Sequence, residues 1–407
     1  MQTRLPQAFL DTIEGQQADR ILRSCVHCGF CTATCPTYQI LGDELDSPRG
    51  RIYLIKQMFE NQQASQHTRL HLDRCLTCRS CETTCPSGVE YGKLIDLGRE
   101  WVETNTSRPL LQRFQRLLLR KIIPYPARFR LLLRLGGLFK PLLPTKLKNK
   151  VPVIQPSLPW PHKGHRRRMV ALNGCAQSVS NANIDASAAR VLDHFNIDLI
   201  SDPASACCGS LNLHLAASDD AKQQMRNNIE AWHAQLDNGA EAIISSASGC
   251  TVTMKDYGHY FENEPEYSTK ASAVANKVSD ISEVIEALVA DMPELPEQAN
   301  KLAFHAPCTL QHGLQINGKV EKILQKCGYT LTEVKDSHLC CGSAGTYSIL
   351  QPELSQQLLA NKTDNLSAGQ PDIIVTANIG CLLHIATNTT TPVMHWIELV
   401  ENALQQH

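Results

Sequence analysis

Aromatic residues are scarce in this 407-residue sequence, at only 5% of the chain, and the formal net charge is −1. So few aromatic side chains do not supply the stacking surface that single-stranded nucleic-acid binding uses. A chain close to neutrality is also not a general polyelectrolyte binder. We therefore expect no nucleic-acid partner. The length predicts two or three domains rather than one hydrophobic core.

Long uncharged apolar runs are also missing. No stretch of the sequence approaches the roughly 18 residues that a membrane-spanning helix needs. The first twenty residues contain Arg4, Asp11, Glu14 and Asp19 without an apolar core, so we expect no secretory signal. In a reducing compartment, cysteines are more often metal ligands or catalysts than disulfide partners. We therefore expect metal ligands or catalysts, rather than disulfide partners, among the seventeen cysteines of this chain.

Eight of the cysteines form two runs of the same pattern, C-x2-C-x2-C-x3-C-P, placed fifty residues apart. The first cysteine run is Cys25, Cys28, Cys31 and Cys35, and the second cysteine run is Cys75, Cys78, Cys81 and Cys85. In bacterial two-cluster ferredoxins the fourth cysteine of each run ligates the other cluster. The rule predicts one [4Fe–4S] cluster on Cys25, Cys28, Cys31 and Cys85, and a second on Cys75, Cys78, Cys81 and Cys35. Structural zinc is the alternative, but zinc generally uses two separated ligand pairs rather than a dense triplet.

The insert between the two runs is longer than a compact ferredoxin would use. Its segment RGRIYLIKQMFE carries apolar residues at helical spacing, and a similar pattern follows Pro86. We therefore predict an α-helical ferredoxin domain over residues 1–104. Arg49 and Arg51 lie in this insert, and we expect both to be solvated at the surface rather than buried beside a cluster.

Acidic residues are absent between Thr104 and Ile184, a stretch that holds sixteen lysines and arginines. In LLQRFQRLLLRKIIP and RFRLLLRLGGLFK the cations alternate with leucines, which is typical of helices that lie on an anionic membrane or in an acidic groove of a partner. Two packed helices with solvated outer faces explain the pattern equally well. Residues 105–165 are thus predicted as a basic amphipathic segment and a linker marked by Pro144, Pro152, Pro156, Pro159 and Pro161.

The C-terminal 240 residues contain a second repeat, named here after its Cys-Cys-Gly motif. The first CCG set is Cys175, Cys207, Cys208 and Cys250, and the second CCG set is Cys308, Cys340, Cys341 and Cys381. Apolar runs that resemble strands precede the outer cysteines, and helix-like stretches separate them, which predicts two α/β domains at residues 166–293 and 294–407. Cysteines that follow parallel strands collect at the carboxyl edge of the sheet, where such folds bind ligands.

Each CCG set is a candidate metal or cluster site, because two matched groups of four cysteines are poorly explained as inert thiols. The pattern does not identify the metal, and thiol–disulfide chemistry at Cys208 and Cys341 is an alternative. Cys327 has no counterpart and is expected to be an ordinary buried thiol. Histidines near the second set are expected to be hydrogen-bonded neighbours rather than ligands: His305, His338 and His384.

The whole arrangement resembles the family of iron–sulfur subunits of bacterial glycolate oxidase. The resemblance covers nearly the entire chain and is carried by CVHCGFCTATCPTYQILGDELDSPRGRIYLIKQ, LDRCLTCRSCETTCPSGV, DSHLCCGSAGTY and TANIGC. Related families include subunits of anaerobic glycerol-3-phosphate dehydrogenase, lactate-utilisation proteins and heterodisulfide reductase. In the last family each CCG half ends in C-x-x-C. Here Thr253 and His384 stand at the final positions, so a five-thiolate cluster is not expected.

The resemblance implies an electron-transfer subunit that is not catalytic alone. A flavin-binding partner carrying FAD would oxidise glycolate, and also D-lactate, to the 2-oxo acid. This chain would pass the electrons to a membrane quinone while attached peripherally to the anionic cytoplasmic face of the bacterial inner membrane. The sequence has no G-x-G-x-x-G motif opening a helix and no phosphate loop, which favours a flavin on another polypeptide. The alternatives are a subunit of a related quinone-linked glycerol-3-phosphate or lactate dehydrogenase, and a cysteine-rich zinc-binding module.

Overall fold

The computed structural model describes residues 1–142 and 154–406. Its N-terminal part is helical, and the remainder contains two four-stranded parallel sheets flanked by helices. This confirms the predicted α+β multidomain class, with a helical ferredoxin domain followed by two repeated α/β CCG domains. The four boundaries given above stay predictions. Of the linker prolines, Pro144 and Pro152 lie outside the described residues.

The N-terminal domain is built from short helices around an apolar core. Ser47 accepts a hydrogen bond from the Gly50 amide and Pro48 occupies the first turn, so the predicted insert helix begins at Pro48. Its apolar side packs on the helix after the second cysteine run, and Ile55 and Leu94 are fully buried there. The helices are α1 Gln7–Leu10, α2 Ile13–Ser24, α3 Pro36–Leu41, α4 Pro48–Asn61, α5 Gln66–Asp73, α6 Ser80–Thr83 and α7 Tyr91–Asn105.

Two further helices, α8 Leu110–Ile122 and α9 Pro126–Phe139, form what we call the basic hairpin. Helix α8 turns cations inward: Arg120 and Lys121 pair with Asp220 at 2.8 and 3.0 Å. The large apolar side chains face solvent instead, on α8 Leu110, Leu111, Phe114, Leu117 and Leu118, and on α9 Leu131, Leu132, Leu135, Leu138 and Phe139. The prediction of two amphipathic helices is confirmed. The alternative in which their outer faces are polar and solvated is wrong for α8, whose exposed side chains are largely apolar.

The first CCG domain contains a sheet in the order β2-β1-β3-β4, with all pairs parallel. Its strands are β1 Arg167–Ala171, β2 Ile197–Ser201, β3 Ile243–Ser245 and β4 Val278–Asp280. The helices around it are α10 Gln177–Ser180, α11 Asn183–His194, α12 Ser210–His214, α13 Ser218–Asp237, α14 Ser248–Lys255, α15 Tyr257–Tyr260, α16 Ser268–Ala275 and α17 Ile281–Leu288.

The second CCG domain repeats this topology, with a parallel sheet in the order β6-β5-β7-β8. Its strands are β5 Lys301–His305, β6 Thr330–Leu331, β7 Ile373–Thr376 and β8 Val393–His395. Its helices are α18 Lys319–Lys326, α19 Tyr347–Leu350, α20 Pro352–Ser367, α21 Ile379–Ile385 and α22 Trp396–Gln405. One buried cluster includes Ile244 of the first sheet and Val375 of the second, so the two CCG domains share an apolar core. Cys327 is fully buried in that core, as predicted.

Candidate metal centres

The two cysteine runs share one backbone conformation. In the first run His27 and Gly29 have positive φ angles of 59° and 88°, and fifty residues later Thr77 and Arg79 have 53° and 61°. Such left-handed residues reverse the chain direction within a few positions. Each run therefore forms a tight loop, and its fourth cysteine follows at the end of the loop. Cys25, Cys75 and Cys81 are buried, whereas Cys28 is exposed. The sequence repeat is a structural repeat.

Each loop encloses a cavity together with a cysteine from the other loop. A cavity with an empty volume of about 420 Å³ is bordered by Cys25, Cys28, Cys31 and Cys85. A second, of about 290 Å³, is bordered by Cys75, Cys78, Cys81 and Cys35. Pro48, Cys81 and Tyr91 border both cavities, so the two spaces are neighbours. The structure therefore brings each triplet together with the fourth cysteine of the opposite run.

The electrostatics of these cavities suit a bound cation rather than a reactive free thiolate. Burial raises the pKa of Cys31 to about 11 and raises the pKa values of Cys25, Cys78 and Cys81 as well. A nucleophilic cysteine needs the opposite shift, towards a stable thiolate. A metal ion supplies the positive charge that displaces a thiol proton from such a site. Four converging thiols beside an apolar wall fit an iron–sulfur cluster in both cavities.

Arg51 lies beside the second cavity, and the expectation that it is solvated is wrong. Its side chain is 1% exposed and its guanidinium lies 4.0 Å from the sulfur of Cys35. The same group donates hydrogen bonds to Thr37 and Asp46 at 3.1 and 3.2 Å. Asp46 is itself fully buried, which explains why an arginine is drawn into the core. Arg49 is one-third exposed and pairs with Glu44, as expected for a solvated cation, but it also borders the first cavity.

A tyrosine hydroxyl also contacts this site. Tyr91 is buried at the start of α7, and its hydroxyl donates to the sulfur of Cys75 at 3.5 Å. Hydrogen bonds to cluster sulfurs are one of the factors that set a cluster's reduction potential. Neither Tyr91 nor Asp46 is part of the cysteine spacing, so motif reading missed both. The only signal in the sequence is their position after a run, with Tyr91 six residues after Cys85 and Asp46 eleven after Cys35.

The first CCG set collects at the carboxyl edge of the first sheet. Cys175 follows β1, Cys207 and Cys208 follow β2, and Cys250 lies in the first turn of α14 after β3. The sulfurs of Cys175 and Cys207 are 3.5 Å apart, and the thiol of Cys208 is hydrogen-bonded to those of its neighbours Cys207 and Cys250. The set therefore forms one chain of adjacent sulfurs, as the matched positions predicted.

The second CCG set has the same arrangement at the edge of the second sheet. The sulfurs of Cys308 and Cys340 are 3.8 Å apart, and Cys341 is hydrogen-bonded through its thiol to Cys340 and Cys381. The hydrogen bond to Cys340 and burial raise the pKa of Cys308 well above the ordinary value. For Cys340 and Cys341 the bond to the preceding cysteine of the chain of sulfurs lowers the pKa, but the bond to the following one and burial outweigh it, so both pKa values are also raised. Raised thiol pKa values disfavour the thiol–disulfide alternative, which needs an accessible thiolate.

The glycine of each Cys-Cys-Gly motif is required by the turn at the site. Gly209 and Gly342 have φ angles of +90° and +87°, which L side chains rarely adopt. A Cβ atom on Gly342 would also lie 2.7 Å from the carbonyl oxygen of Ser355. The turn thus allows α20 to pack directly against the paired cysteines. Gly249 and Gly380, which precede Cys250 and Cys381, do not have a positive φ.

The second CCG set adjoins the ferredoxin domain. Cys78 and Cys308 both pack against one buried cluster that contains Leu76, Cys340 and Tyr347. The hydroxyl of Tyr347 donates to the backbone carbonyl of Arg74 at 3.1 Å, immediately before the second cysteine run. The first CCG domain meets the ferredoxin domain elsewhere, through an ion pair of 3.3 Å between Arg79 and Asp256.

The histidines near the second set occupy different positions. His384 lies 3.1 Å from the Ser355 hydroxyl, as expected for a hydrogen-bonded neighbour. The backbone carbonyl of His338 contacts the ring of His312 at 2.9 Å. His305 is 1% exposed, and burial together with the cation of Lys362 lowers its pKa well below the ordinary value. A nitrogen of its ring lies within 4.8 Å of the sulfurs of Cys341 and Cys381.

Comparisons with known proteins agree with this organisation. The family described as a 4Fe-4S dicluster domain matches residues 21–89, and the family described as a cysteine-rich domain matches residues 169–255 and 302–386. A solved structure titled as a hypothetical protein from Helicobacter pylori has the same fold, with a TM-score of 0.57 and 12% identity, covering 96% of this chain and 72% of that one.

Curated relatives define the family. The glycolate oxidase iron–sulfur subunit of Escherichia coli (strain K12) is 49% identical over 100% of both chains. The probable glycolate oxidase iron–sulfur subunit of Bacillus subtilis (strain 168) is 30% identical, covering 89% of this chain and 88% of that one. Lactate utilization protein A of Bacillus velezensis is 24% identical over 56% of this chain and 96% of its own. The chain belongs to the family of glycolate oxidase iron–sulfur subunits.

Proposed function

We propose that this chain relays electrons in a glycolate oxidase complex, from a flavin on a partner subunit to a membrane quinone. The observation that carries the proposal is the pair of neighbouring cavities, each bordered by three cysteines of one run and the fourth of the other. When bound, [4Fe–4S] clusters supply one-electron redox chemistry. The chain supplies the ligands, holds the two sites side by side and keeps them partly out of water.

We assign the ligands by cavity. Cys25, Cys28, Cys31 and Cys85 hold the first cluster, and Cys75, Cys78, Cys81 and Cys35 hold the second. Support comes from the cavity linings and from the family match to a 4Fe-4S dicluster domain. The side chains common to both linings, such as Tyr91, leave about one layer of protein between the sites. That short separation favours electron transfer between them.

The two CCG sets are assigned as further metal sites. In each set the sulfurs form a continuous chain of contacts at the carboxyl edge of a sheet. Burying several thiols together without a partner cation gains little, because a thiol is only a weak hydrogen-bond donor. A bound metal explains why both domains assemble the same four residues.

The oxidation of glycolate, and also of D-lactate, belongs to a flavin-bearing partner that carries FAD. The names of the relatives support this division, since they describe an iron–sulfur subunit of glycolate oxidase and a lactate utilization protein. The sequence contains no dinucleotide-binding glycine motif of its own. This chain therefore accepts electrons rather than substrate.

The basic hairpin is the part of the chain that we expect to contact the membrane. No helix in the described ranges is long and apolar enough to cross a bilayer. The apolar face of α8, including Leu111 at 77% and Phe114 at 57% exposure, is instead available to enter the interfacial layer of a membrane. Arg113, Arg130 and Arg134 are exposed around it, and the absence of acids from 104 to 184 favours anionic lipid. We infer that the chain attaches peripherally to the cytoplasmic face of the inner membrane through this surface.

The test compares cysteine variants of the full chain, co-purified anaerobically with its partner subunits. Iron, labile sulfide and flavin are assayed, and the reduced clusters are examined by EPR. We expect Cys85→Ser to give the spectrum of Cys28→Ser, and Cys35→Ser to give that of Cys78→Ser, because each pair removes one cluster. Cys327→Ser is the control, since this buried thiol borders neither cavity.

Two results would refute the proposal. A protein that contains zinc without labile sulfide is a zinc module and not a relay. If Cys85→Ser matches Cys78→Ser instead, each run holds its own cluster and the crossed assignment is wrong. The corresponding activity measurement is glycolate-dependent reduction of a quinone by the complex. We expect this activity to be lost in the variants of either cluster.

A further inference from the structure

One buried histidine at the second CCG set has no hydrogen-bond partner. His305 is the last residue of β5, three positions before Cys308, and is 1% exposed. Within the described part of the chain, neither Nδ1 nor Nε2 of its ring is hydrogen-bonded. Leaving a buried polar group unpaired costs about 1–3 kcal/mol, and such groups in native proteins usually mark an ion or a water that is absent.

The ring faces two cysteines of the second CCG set. A ligand atom of His305 and the sulfurs of Cys341 and Cys381 all lie within 4.8 Å of one another, and all three residues are buried. In a tetrahedral zinc site, with Zn–S of about 2.3 Å and Zn–N of about 2.0–2.1 Å, ligand atoms lie about 3.6–3.8 Å apart. A bound ion needs to draw these three side chains together by about 1 Å at most. The sulfur of Cys340, hydrogen-bonded to that of Cys341, is next to them.

The first CCG domain offers a matched comparison. The residue 133 positions before His305 is Leu172, which is 6% exposed and packs in the apolar cluster that contains Cys208. The two domains share their strand order and all four cysteines, so the imidazole is an addition at one site. An all-sulfur set and a sulfur–nitrogen set thus occupy equivalent places in the two halves.

We propose that His305 is a metal ligand, and that the second CCG domain binds Zn²⁺ through His305, Cys341, Cys381 and Cys340. His305 takes the place of Cys308 in the metal shell, and Cys308 contacts the shell through the sulfur of Cys340 at 3.8 Å. A closed, buried set of three thiolates and one imidazole is a common structural zinc site. This inference rests on the assignment of metal to the CCG domains made above. It adds that the second domain holds a redox-inactive ion beside the second cluster, so that its metal stabilises the fold and carries no electrons.

The test uses the full chain purified anaerobically with its partners, with zinc and iron quantified and the zinc environment measured by X-ray absorption. We expect zinc bound by three sulfurs and one imidazole nitrogen. His305→Gln should weaken zinc retention against a chelator by at least about tenfold, because loss of an outer-shell partner alone costs 10–100-fold. The control is His395→Gln, which removes another fully buried histidine of the same domain that is hydrogen-bonded to the Ser246 carbonyl.

A second variant keeps the proposal testable if His305→Gln does not fold. His305→Cys restores a ligand, so it should retain zinc with a shell of four sulfurs. Zinc without an imidazole shell in the unmodified protein, or iron in place of zinc at this site, overturns the proposal. So does unchanged zinc retention in His305→Gln. The EPR signals of the two ferredoxin clusters are read in the same samples, so their loss reports separately on the proposed relay.

Discussion

The guanidinium of Arg51 lies 4.0 Å from the sulfur of Cys35, inside the core of the ferredoxin domain. The contact places a permanent positive charge next to a cysteine assigned to the second cluster. Asp46, with no exposed surface, holds Arg51 from the other side at 3.2 Å. A charge fixed in this way acts on the cysteine more strongly than a solvated one, because water does not screen it.

Replacing Arg51 by glutamine should lower the reduction potential of the second cluster. The reduced cluster carries an additional negative charge, and removing a nearby cation destabilises that state. Asp46 keeps its ion pair with Arg74 at 2.8 Å and its contact with His71 at 3.0 Å. Losing Arg51 as one buried partner should therefore cost about 1–3 kcal/mol of unfolding free energy. An EPR-monitored redox titration and a denaturant titration measure the two effects.

Arg49→Gln is the matched control for the second cluster, because Arg49 borders the first cavity and not the second. Arg49 is one-third exposed and pairs with Glu44 at the surface, so its loss should change stability by no more than about 1 kcal/mol. Equal potentials in the Arg51 variant, the Arg49 variant and the unmodified chain would show that the cation does not act on the cluster.

Gly342→Ala should destabilise the second CCG domain more than Gly345→Ala does. Both glycines have positive φ angles, of +87° and +63°, so alanine brings about 1–2 kcal/mol of backbone strain to either. At Gly342 the new methyl group also meets the Ser355 carbonyl at 2.7 Å, whereas nothing lies within 4 Å at Gly345. Urea unfolding of the two variants measures the difference, and equal losses would mean that α20 moves away freely.

The basic hairpin should be the part of the chain that binds lipid. Replacing Leu111, Phe114 and Leu118 together by glutamine should weaken binding to anionic vesicles at least about tenfold, since burying one such side chain contributes about 1.5–3 kcal/mol. All three side chains are exposed, so folding should be little affected. Vesicle co-sedimentation of the full chain measures the effect.

Ile349→Gln controls for the loss of an exposed apolar side chain elsewhere, because Ile349 is 46% exposed in the second CCG domain. Arg130→Gln with Arg134→Gln should weaken binding at low salt and much less at high salt, where surface charges are screened. Vesicle binding that survives the triple substitution would assign the apolar face of α8 to a protein partner instead.

The fold class was predictable because the sequence repeats at two levels. Strand-like runs before Cys175 and Cys308 could be read directly, since a buried parallel strand is an unbroken apolar run. The crossed assignment of Cys35 and Cys85 was predicted from the spacing, and each of these cysteines borders the cavity of the opposite run. The assignment as cluster ligands stays a proposal. These features depend on the local sequence and on motifs that are repeated along the chain.

What sequence reasoning missed depends on long-range packing. The periodicity of α8 identified an amphipathic helix but not the direction of its faces, because that is decided by the distant acid Asp220. The burial of Arg51 depends on a buried Asp46, and neither is visible as a pattern in the sequence. His305 was read as a neighbour because a single histidine gives no periodic signal. Only the fold brings a nitrogen of its ring within 4.8 Å of the sulfurs of Cys341 and Cys381.

Asp96, on the ferredoxin side of the contact with the first CCG domain, should make stability depend on pH. Burial raises its pKa from 3.8 to about 6, although Arg99 and Arg79 oppose the shift, and Asp256 and Glu82 add to it. The folded state thus binds the proton more tightly than the unfolded state. This group's contribution to stability is therefore greatest below about pH 4 and falls as the pH rises through 6.

Asp96→Asn should accordingly stabilise the protein at pH 8 and have little effect near pH 4. A shift of about two pKa units corresponds to at most about 3 kcal/mol, and the nearby arginines lose an attractive partner, so a smaller gain is expected. Thermal unfolding at both pH values measures it, with the exposed Asp11→Asn as the control for the substitution itself. A variant that is less stable than the unmodified chain at pH 8 would show that the arginine pairing outweighs burial. The charged Asp96 side chain would then stabilise the contact between the two domains, and its burial would not be a net destabilising term.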